Sequence, residues 1–394
     1  MFSGKRDVAL LSLAQAMLTS AISLSFTLAA ILGSQLALDK GLATLPVAMT
    51  VVGAALASVP AAWVMGRFGR RAAFLMGTAI GVLGSTLAVI GLLQGSFVFF
   101  VVAHGMLGIY QGIANYYRYA AAELVDPGSA SKAIAWVVGG GLFAAFLGPQ
   151  LGQWGAHWFG PSTFVGSYVA QGVLSVVAMA AIGLTRTVPV PVVARHDTRP
   201  LREILAHPAL GVSVIGAAVS YSVMTMAMSA TPLAMAGSGL PMHAVTWVIQ
   251  WHVVGMYAPS FFTGTLIKRF GAPRIMLLGF VLLLGHVAIS LSGVGFLHYW
   301  SALVMLGIGW NFAYIGGTTL LSQTYRPSET LKMQAFNEVS IFGTVAVATL
   351  TAGWLYDRFG WVMLNLAITP FILMALVLAL RLHRRTSFVP AEAP

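Results

Sequence analysis

Leu107-Gly108-Ile109-Tyr110-Gln111, within an apolar run over residues 97 to 122, returns about 200 residues later as Leu306-Gly307-Ile308 and, after one inserted residue, Trp310-Asn311. The second copy lies in the run 297 to 325. Outward from this core, Pro127 faces Pro327 and Lys132 faces Lys332, while Gly66-Arg67-Phe68-Gly69-Arg70-Arg71 is echoed by Lys268-Arg269-Phe270-Gly271-Ala272-Pro273-Arg274. The period is half of the 394-residue chain, so one unit has been written twice. Parallel repeats of apolar segments predict a solute site near the membrane midplane, between the two copies.

The remainder of the chain fits such a solvent. It is 58% hydrophobic and 8% charged, with mean hydropathy +0.86, whereas a soluble domain is roughly a quarter charged. A bilayer core takes roughly 20 apolar residues per helix, so a dozen spans use roughly 240 positions and leave short connections. Twelve runs bounded by charges, Pro or Gly are predicted, at about 8–32, 43–65, 72–94, 97–122, 131–155, 162–184, 209–235, 242–267, 273–292, 297–325, 333–355 and 360–381. Several exceed the minimum length and are expected to tilt. The expected fold is therefore all-α integral membrane, twelve transmembrane helices in two six-helix pseudo-symmetric halves. These halves are residues 1–184 and 209–394, the second with a short cytoplasmic tail, joined by a cytoplasmic linker at 185–208. Lys5 and Arg6 precede an apolar run from Val8 to Leu32 that is too long for a signal core, so an uncleaved first helix is expected.

Net charge +11 and a pI near 10.2 would suggest nucleic-acid binding in a soluble chain. Here no nucleic-acid partner is expected, because the basic residues sit in membrane loops. Of 21 Lys and Arg, eighteen, from Lys5 to Arg385, fall on one side of the threading, Lys40 and Arg358 on the other, and Arg118 inside a span. The basic side is cytoplasmic by the positive-inside rule, so both termini are expected inside, in a multi-pass protein of the plasma (bacterial inner) membrane. With no Cys there is neither a disulfide framework nor a thiolate metal site. No metal-ligand spacing, phosphate-cradling loop or Ser-His-Asp arrangement stands out, so no cofactor, no metal, no enzymatic activity and no ATP-driven pump are expected. Twelve helices can enclose a pathway in one chain, so a monomer in the lipid bilayer is the expected form.

Ala62 and Gly66, followed by Arg67, Gly69, Arg70 and Arg71, stand where a loop signature reads Gly-x-x-x-Asp-Arg-x-Gly-Arg-Arg, and Gly264, Arg269 and Gly271 repeat part of it. In this the chain resembles the major facilitator superfamily over essentially its whole length. The family's loop acid, which helps lock one conformation, is replaced by Gly66 in one half and Lys268 in the other. Gly148-Pro149-Gln150-Leu151-Gly152 resembles the core of a motif of proton-driven exporters, although Ala144 and Gln153 stand where the longer motif has Gly. His104 occupies a place where the family often carries Arg. The stretch from Gln111 to Glu123, with Gly307 to Phe312, is similar to a bacterial branch that includes riboflavin importers. The resemblance implies a secondary active transporter working by alternating access, with uptake of a planar heteroaromatic nutrient such as riboflavin. The alternative is proton-coupled efflux of drugs or metabolites.

Polar side chains inside a bilayer face protein or a water-filled cavity. On the fourth span His104, Gly108, Gln111, Asn115 and Arg118 fall at offsets of 4, 7, 11 and 14, one helical face, and on the tenth Gly307, Asn311, Tyr314 and Thr318 repeat the spacing. Both stripes are expected to line the cavity; the competing reading is close helix packing. Flat faces and amide groups suited to a heteroaromatic solute make Tyr110, Gln111, Asn115, Arg118, Tyr221, Gln250, Trp310, Asn311 and Tyr314 the candidate binding residues. Arg118 and Glu338 are candidates for proton coupling. A gate latch is expected from Arg67, Arg70, Arg71, Glu123, Lys268 and Arg269, with Asp126 beside Glu123. His252 and His286 read as packing residues.

Overall fold

The computed structural model describes residues 3–125, 130–160, 163–186, 199, 201–205, 207–326 and 329–387. All regular structure among them is helical: α1 (Ser3–Leu36), a 3-10 turn (Lys40–Leu42), α2 (Leu45–Phe68), α3 (Arg70–Gln94), α4 (Phe97–Ala114), α5 (Tyr117–Glu123), α6 (Ala130–Gly155) and α7 (Val165–Gly183). Then follow α8 (Leu201–Leu205), α9 (Pro208–Gly237), α10 (Met242–Tyr257), α11 (Ser260–Phe270), α12 (Ala272–Ser292), α13 (Phe296–Ser322) and α14 (Thr330–Ser387). Nine helices among the described residues are long and apolar enough to cross a membrane. Three further crossings complete twelve. One is α6, one is α10 with α11, and one arises because α14 is two helices meeting at Gly360.

Three of the hairpins turn on a single glycine. Gly69, Gly271 and Gly360 each follow an Arg-Phe pair and take φ/ψ of 84°/159°, 84°/149° and 74°/−175°. A Cβ is not tolerated in that region, so the glycine reverses the chain without a loop. Two predicted spans are interrupted. The fourth tightens at Asn115 and Tyr116, where Tyr116 N–H bonds Ile113 O, and the eighth breaks at Ala258-Pro259 because Pro259 cannot donate to the preceding turn.

The repeat is visible in packing. In the first half α2 meets α4 so closely that a Cβ on Gly108 would stand 2.0 Å from Thr50 O, and one on Gly53 2.2 Å from Gly105 O. In the second half α10 meets α13 in the same way, with a Cβ on Gly307 falling 2.5 Å from His252 O. Across the halves α2 packs on α14, α6 on α10 and α1 on α9. Val51, Ala217, Ala218, Ile341, Phe342 and Val345 form a buried cluster at that seam.

The halves are also joined at the Lys40 end. Thr44 Oγ donates to Thr349 O and accepts from Gly353 N–H, both at 3.0 Å. Twelve crossings return Ser387 to the face where α1 begins, called the terminal face below. Within the 185–208 connection, residues 187–198, 200 and 206 lie outside the described residues, but Arg199 is clamped onto the second half. Its Nε and one terminal nitrogen donate to the two oxygens of Glu329, each at 2.8 Å, and its backbone N–H donates to Glu329 Oε1 at 3.0 Å. Arg326 N–H adds a fourth bond at 2.9 Å, and the Glu329 side chain is fully buried. These charge-assisted bonds hold the Glu329 carboxyl well below the ordinary carboxylate range.

Candidate functional site

A cavity of about 480 Å³ lies between the halves, within the roughly 300–1,000 Å³ of small-molecule sites. Its walls differ. The first half contributes Gln15 and Thr19 from α1, then Gln111 from α4, Asn115 at its C-terminal end and Arg118 from α5. Gln15 Nε2 donates to Thr19 Oγ at 3.1 Å, joining the two across one helical turn. The second half contributes Tyr221, Tyr257, Phe261, Trp310 and Tyr314, with Phe342 and Glu338 from α14. Trp310 and Tyr314 lie nearly parallel, 5.0 Å apart at 10°, and Tyr221 sets its edge against both at 5.4 Å. Tyr257 meets Trp310 at 6.4 Å and Phe342 meets Tyr221 at 5.7 Å. Among the lining residues every ring thus comes from the second half, beside Ser260, Asn311, Thr318, Thr319 and Glu338, while the first half presents amide, hydroxyl and aliphatic groups with Arg118.

Helical register explains the asymmetry. Gly108 and Gly307 hold equivalent packing places, so positions three and seven residues on share a direction: Gln111 matches Trp310 and Asn115 matches Tyr314. Tyr110 matches Gly309, the inserted residue. The expectation that Tyr110 lines the cavity is therefore corrected. Its ring is buried against α3, where a Cβ on Gly81 would stand 2.5 Å away, just as Gly309 lies against Gly279 of α12. A sequence alignment absorbs an insertion as a gap, whereas a helix turns every following side chain by about 100°.

Gln250 is also displaced from the expected lining. It is buried in the contact of α6 with α10, where Gln150 Nε2 donates to its Oε1 at 3.4 Å. His104, Gly108 and Gly307 leave the predicted stripes for packing roles. His104 is buried, with Nδ1 2.8 Å from Phe100 O and Nε2 3.2 Å from the Tyr168 hydroxyl. His252 and His286 are buried within the second half, their Nδ1 atoms 2.8 and 3.0 Å from Leu303 O and Ala302 O. Arg118 and Glu338 come from opposite halves to the same cavity, and the guanidinium charge acts on the carboxyl. Gln15, Thr19, Tyr257, Ser260, Phe261 and Phe342 were not among the predicted binding residues. Gln15 and Thr19, one helical turn apart in the first span, carried a legible signal.

The expected gate residues spread over the terminal face. Arg67 lies over the Trp63 and Phe68 rings at 5.8 and 5.7 Å, and Arg269 over Phe270 at 5.3 Å. Arg70 is buried, Arg71 donates to Gly183 O at the end of α7, and Lys268 is exposed. The Glu123 side chain and Asp126 lie outside the described residues. Arg71 therefore ties α3 to its own half, and the ion pair that joins the linker to the second half is Arg199 with Glu329.

Twelve crossings in two matching halves around a central cavity define a membrane transporter. The Major Facilitator Superfamily profile matches residues 9–226 and 213–393. The chain is similar to the riboflavin transporter RfnT of Brucella anthropi, 39% identical over 384 residues, covering 96% of each chain. It is 25% identical over 387 residues to YddS of Bacillus subtilis, an uncharacterized transporter of the same type, covering 92% of this chain and 87% of that one. Among solved structures, a D-xylose-proton symporter superposes with TM-score 0.74 at 15% identity over 96% of this chain and 97% of that one. The nucleoside transporter NupG gives 0.69 at 13% identity over 96% and 99%. The chain belongs to the major facilitator superfamily: it is a multi-pass membrane transporter, not an enzyme, and its substrate is a small molecule.

Proposed function

We propose that this transporter takes up riboflavin by alternating access, with the terminal face in the cytoplasm of the bacterial cell. The observation that carries the reading is the two-walled cavity. An isoalloxazine is flat and suits the Trp310, Tyr314 and Tyr221 rings, while its polar edge and ribityl hydroxyls suit Gln15, Gln111 and Asn115. The cavity wall holds one basic and one acidic side chain, Arg118 and Glu338, a lining that suits an uncharged solute better than an anion. The relative named for riboflavin transport supports the same substrate. Lining residues run from mid-span toward the terminal face while Thr44 joins the halves at the opposite end, so the conformation is inward-facing. Coupling to protons is assigned to Arg118 and Glu338, the working unit being a monomer. Gly148, in the core of the exporter-like motif, has a packing reason of its own, since its Cβ would stand 2.5 Å from Ser20 O of α1, so that glycine is no argument for efflux.

The test is uptake of labelled riboflavin by riboflavin-auxotrophic cells expressing the protein, with Gln111→Ala and Trp310→Ala beside it and with or without a proton uncoupler. Protein-dependent uptake that both substitutions weaken is the expected result. A well-expressed protein that takes up none refutes the substrate assignment.

A further inference from the structure

We infer that Asn311 is a positioning residue that holds the break in the eighth span and so shapes the aromatic wall. Pro259 has no N–H, so α10 ends at Tyr257 and α11 starts afresh at Ser260. The Asn311 amide spans that break. Its Nδ2 donates to Met256 O on the α10 side and to Ser260 Oγ on the α11 side, each at 2.7 Å, and its Oδ1 lies 2.7 Å from Thr263 Oγ, whose one hydrogen is shared with Pro259 O at 2.8 Å, so Thr263 ties the Asn311 amide to the break itself. Asn311 borders the cavity, but both amide hydrogens are committed and the residue is 1% exposed, so it has no donor left for a solute. What it does instead is fix the residues around Pro259. Tyr257, Ser260 and Phe261 line the cavity there, and Tyr257 packs on Trp310, the neighbour of Asn311 in α13. One helix thus supplies the wall and clips its partner in place.

This deepens the proposed transport reading, and the experiment separates the two. The chain has no Cys, so Phe261→Cys introduces a single thiol without further changes. Its reaction with a thiol reagent is measured in the otherwise unaltered protein and with Thr263→Val, Asn311→Ala, or both. Riboflavin binding to the purified proteins is followed by flavin fluorescence. Thr263 is fully buried and outside the cavity, so it cannot touch a solute. Thr263→Val is nevertheless expected to change the labelling rate and weaken riboflavin binding by about threefold or more each, with the double substitution adding little to Asn311→Ala. Thr263→Val that labels and binds like the parent, while Asn311→Ala loses binding, makes Asn311 a direct ligand and overturns the inference. Should Asn311→Ala not fold, Thr263→Val decides alone. If the parent binds no riboflavin, the substrate assignment falls while the labelling still decides the clip.

Discussion

Replacing Thr44 by Val should shift the protein away from the conformation in which the cavity extends toward the terminal face and the halves are joined at the Lys40 end. The hydroxyl donates to Thr349 O and accepts from Gly353 N–H, at 3.0 Å each, and the side chain is 1% exposed. Gly353 permits this approach, since a Cβ there would stand 2.6 Å from Thr44 Oγ and 2.8 Å from Gly41 O. Thr349 O and Gly353 N–H are the pair that an α-helix joins by itself, so when the halves part the ladder closes and no backbone group is orphaned. Release is therefore reversible, and the loss on substitution lies between one and two neutral hydrogen bonds. At about 1 kcal/mol each, that is about 1–2 kcal/mol, or roughly a 5- to 30-fold change in the conformational ratio. The assay is Gln111→Cys in the naturally cysteine-free chain, labelled by a membrane-impermeant thiol reagent applied from the Lys40 side. Thr44→Val should accelerate labelling by that factor. A rate changed by less than about twofold, in protein inserted normally and still labelled from the terminal face, refutes the reasoning.

Trp310→Ala removes one ring of the cavity wall, and with an aromatic pair between ring and solute at about 0.5–1.5 kcal/mol, riboflavin affinity in a fluorescence titration should fall roughly 2- to 10-fold, with Trp310→Phe intermediate. A phosphorylated flavin should compete poorly with labelled riboflavin, and Glu338→Gln should improve its competition by removing a carboxyl from the cavity wall; unchanged competition would count against charge selection at this site. Gly108→Val should sharply lower the yield of folded protein, measured by size-exclusion chromatography, because its Cβ meets the Thr50 carbonyl at 2.0 Å; Gly105→Ala, whose nearest neighbour would be 3.7 Å away, should be tolerated. The Glu329 carboxyl is held below its ordinary range by Arg199, so its contribution is complete above the unfolded value and lost only as pH falls through the depressed one. Linker docking should accordingly persist in mild acid, and Glu329→Gln should speed tryptic cleavage after Arg202 at neutral pH.

Hydropathy, length and the one-sided distribution of Lys and Arg were enough to read twelve crossings in two halves, because a bilayer core admits few solutions for a chain this apolar. The Gly-Ile repeat in spans four and ten marked which helices correspond. Gln111, Asn115, Arg118, Trp310, Tyr314 and Glu338 were legible as cavity residues, since amides, charges and rings at mid-span need a wet or aromatic surface. Tertiary structure decided which way each helix is turned. Tyr110 lost its place to the packing of α4 on α3, and Gln250 to the contact of α6 with α10. Asn311 keeps its place at the cavity but has its amide drawn to Met256 O and Ser260 around the break, and Arg199 found Glu329, 130 residues away. Composition sets whether a segment enters the membrane, but the azimuth of a helix is chosen by close contacts with its neighbours. A single inserted glycine in α13, about 100° of turn, separates an aromatic wall from a polar one.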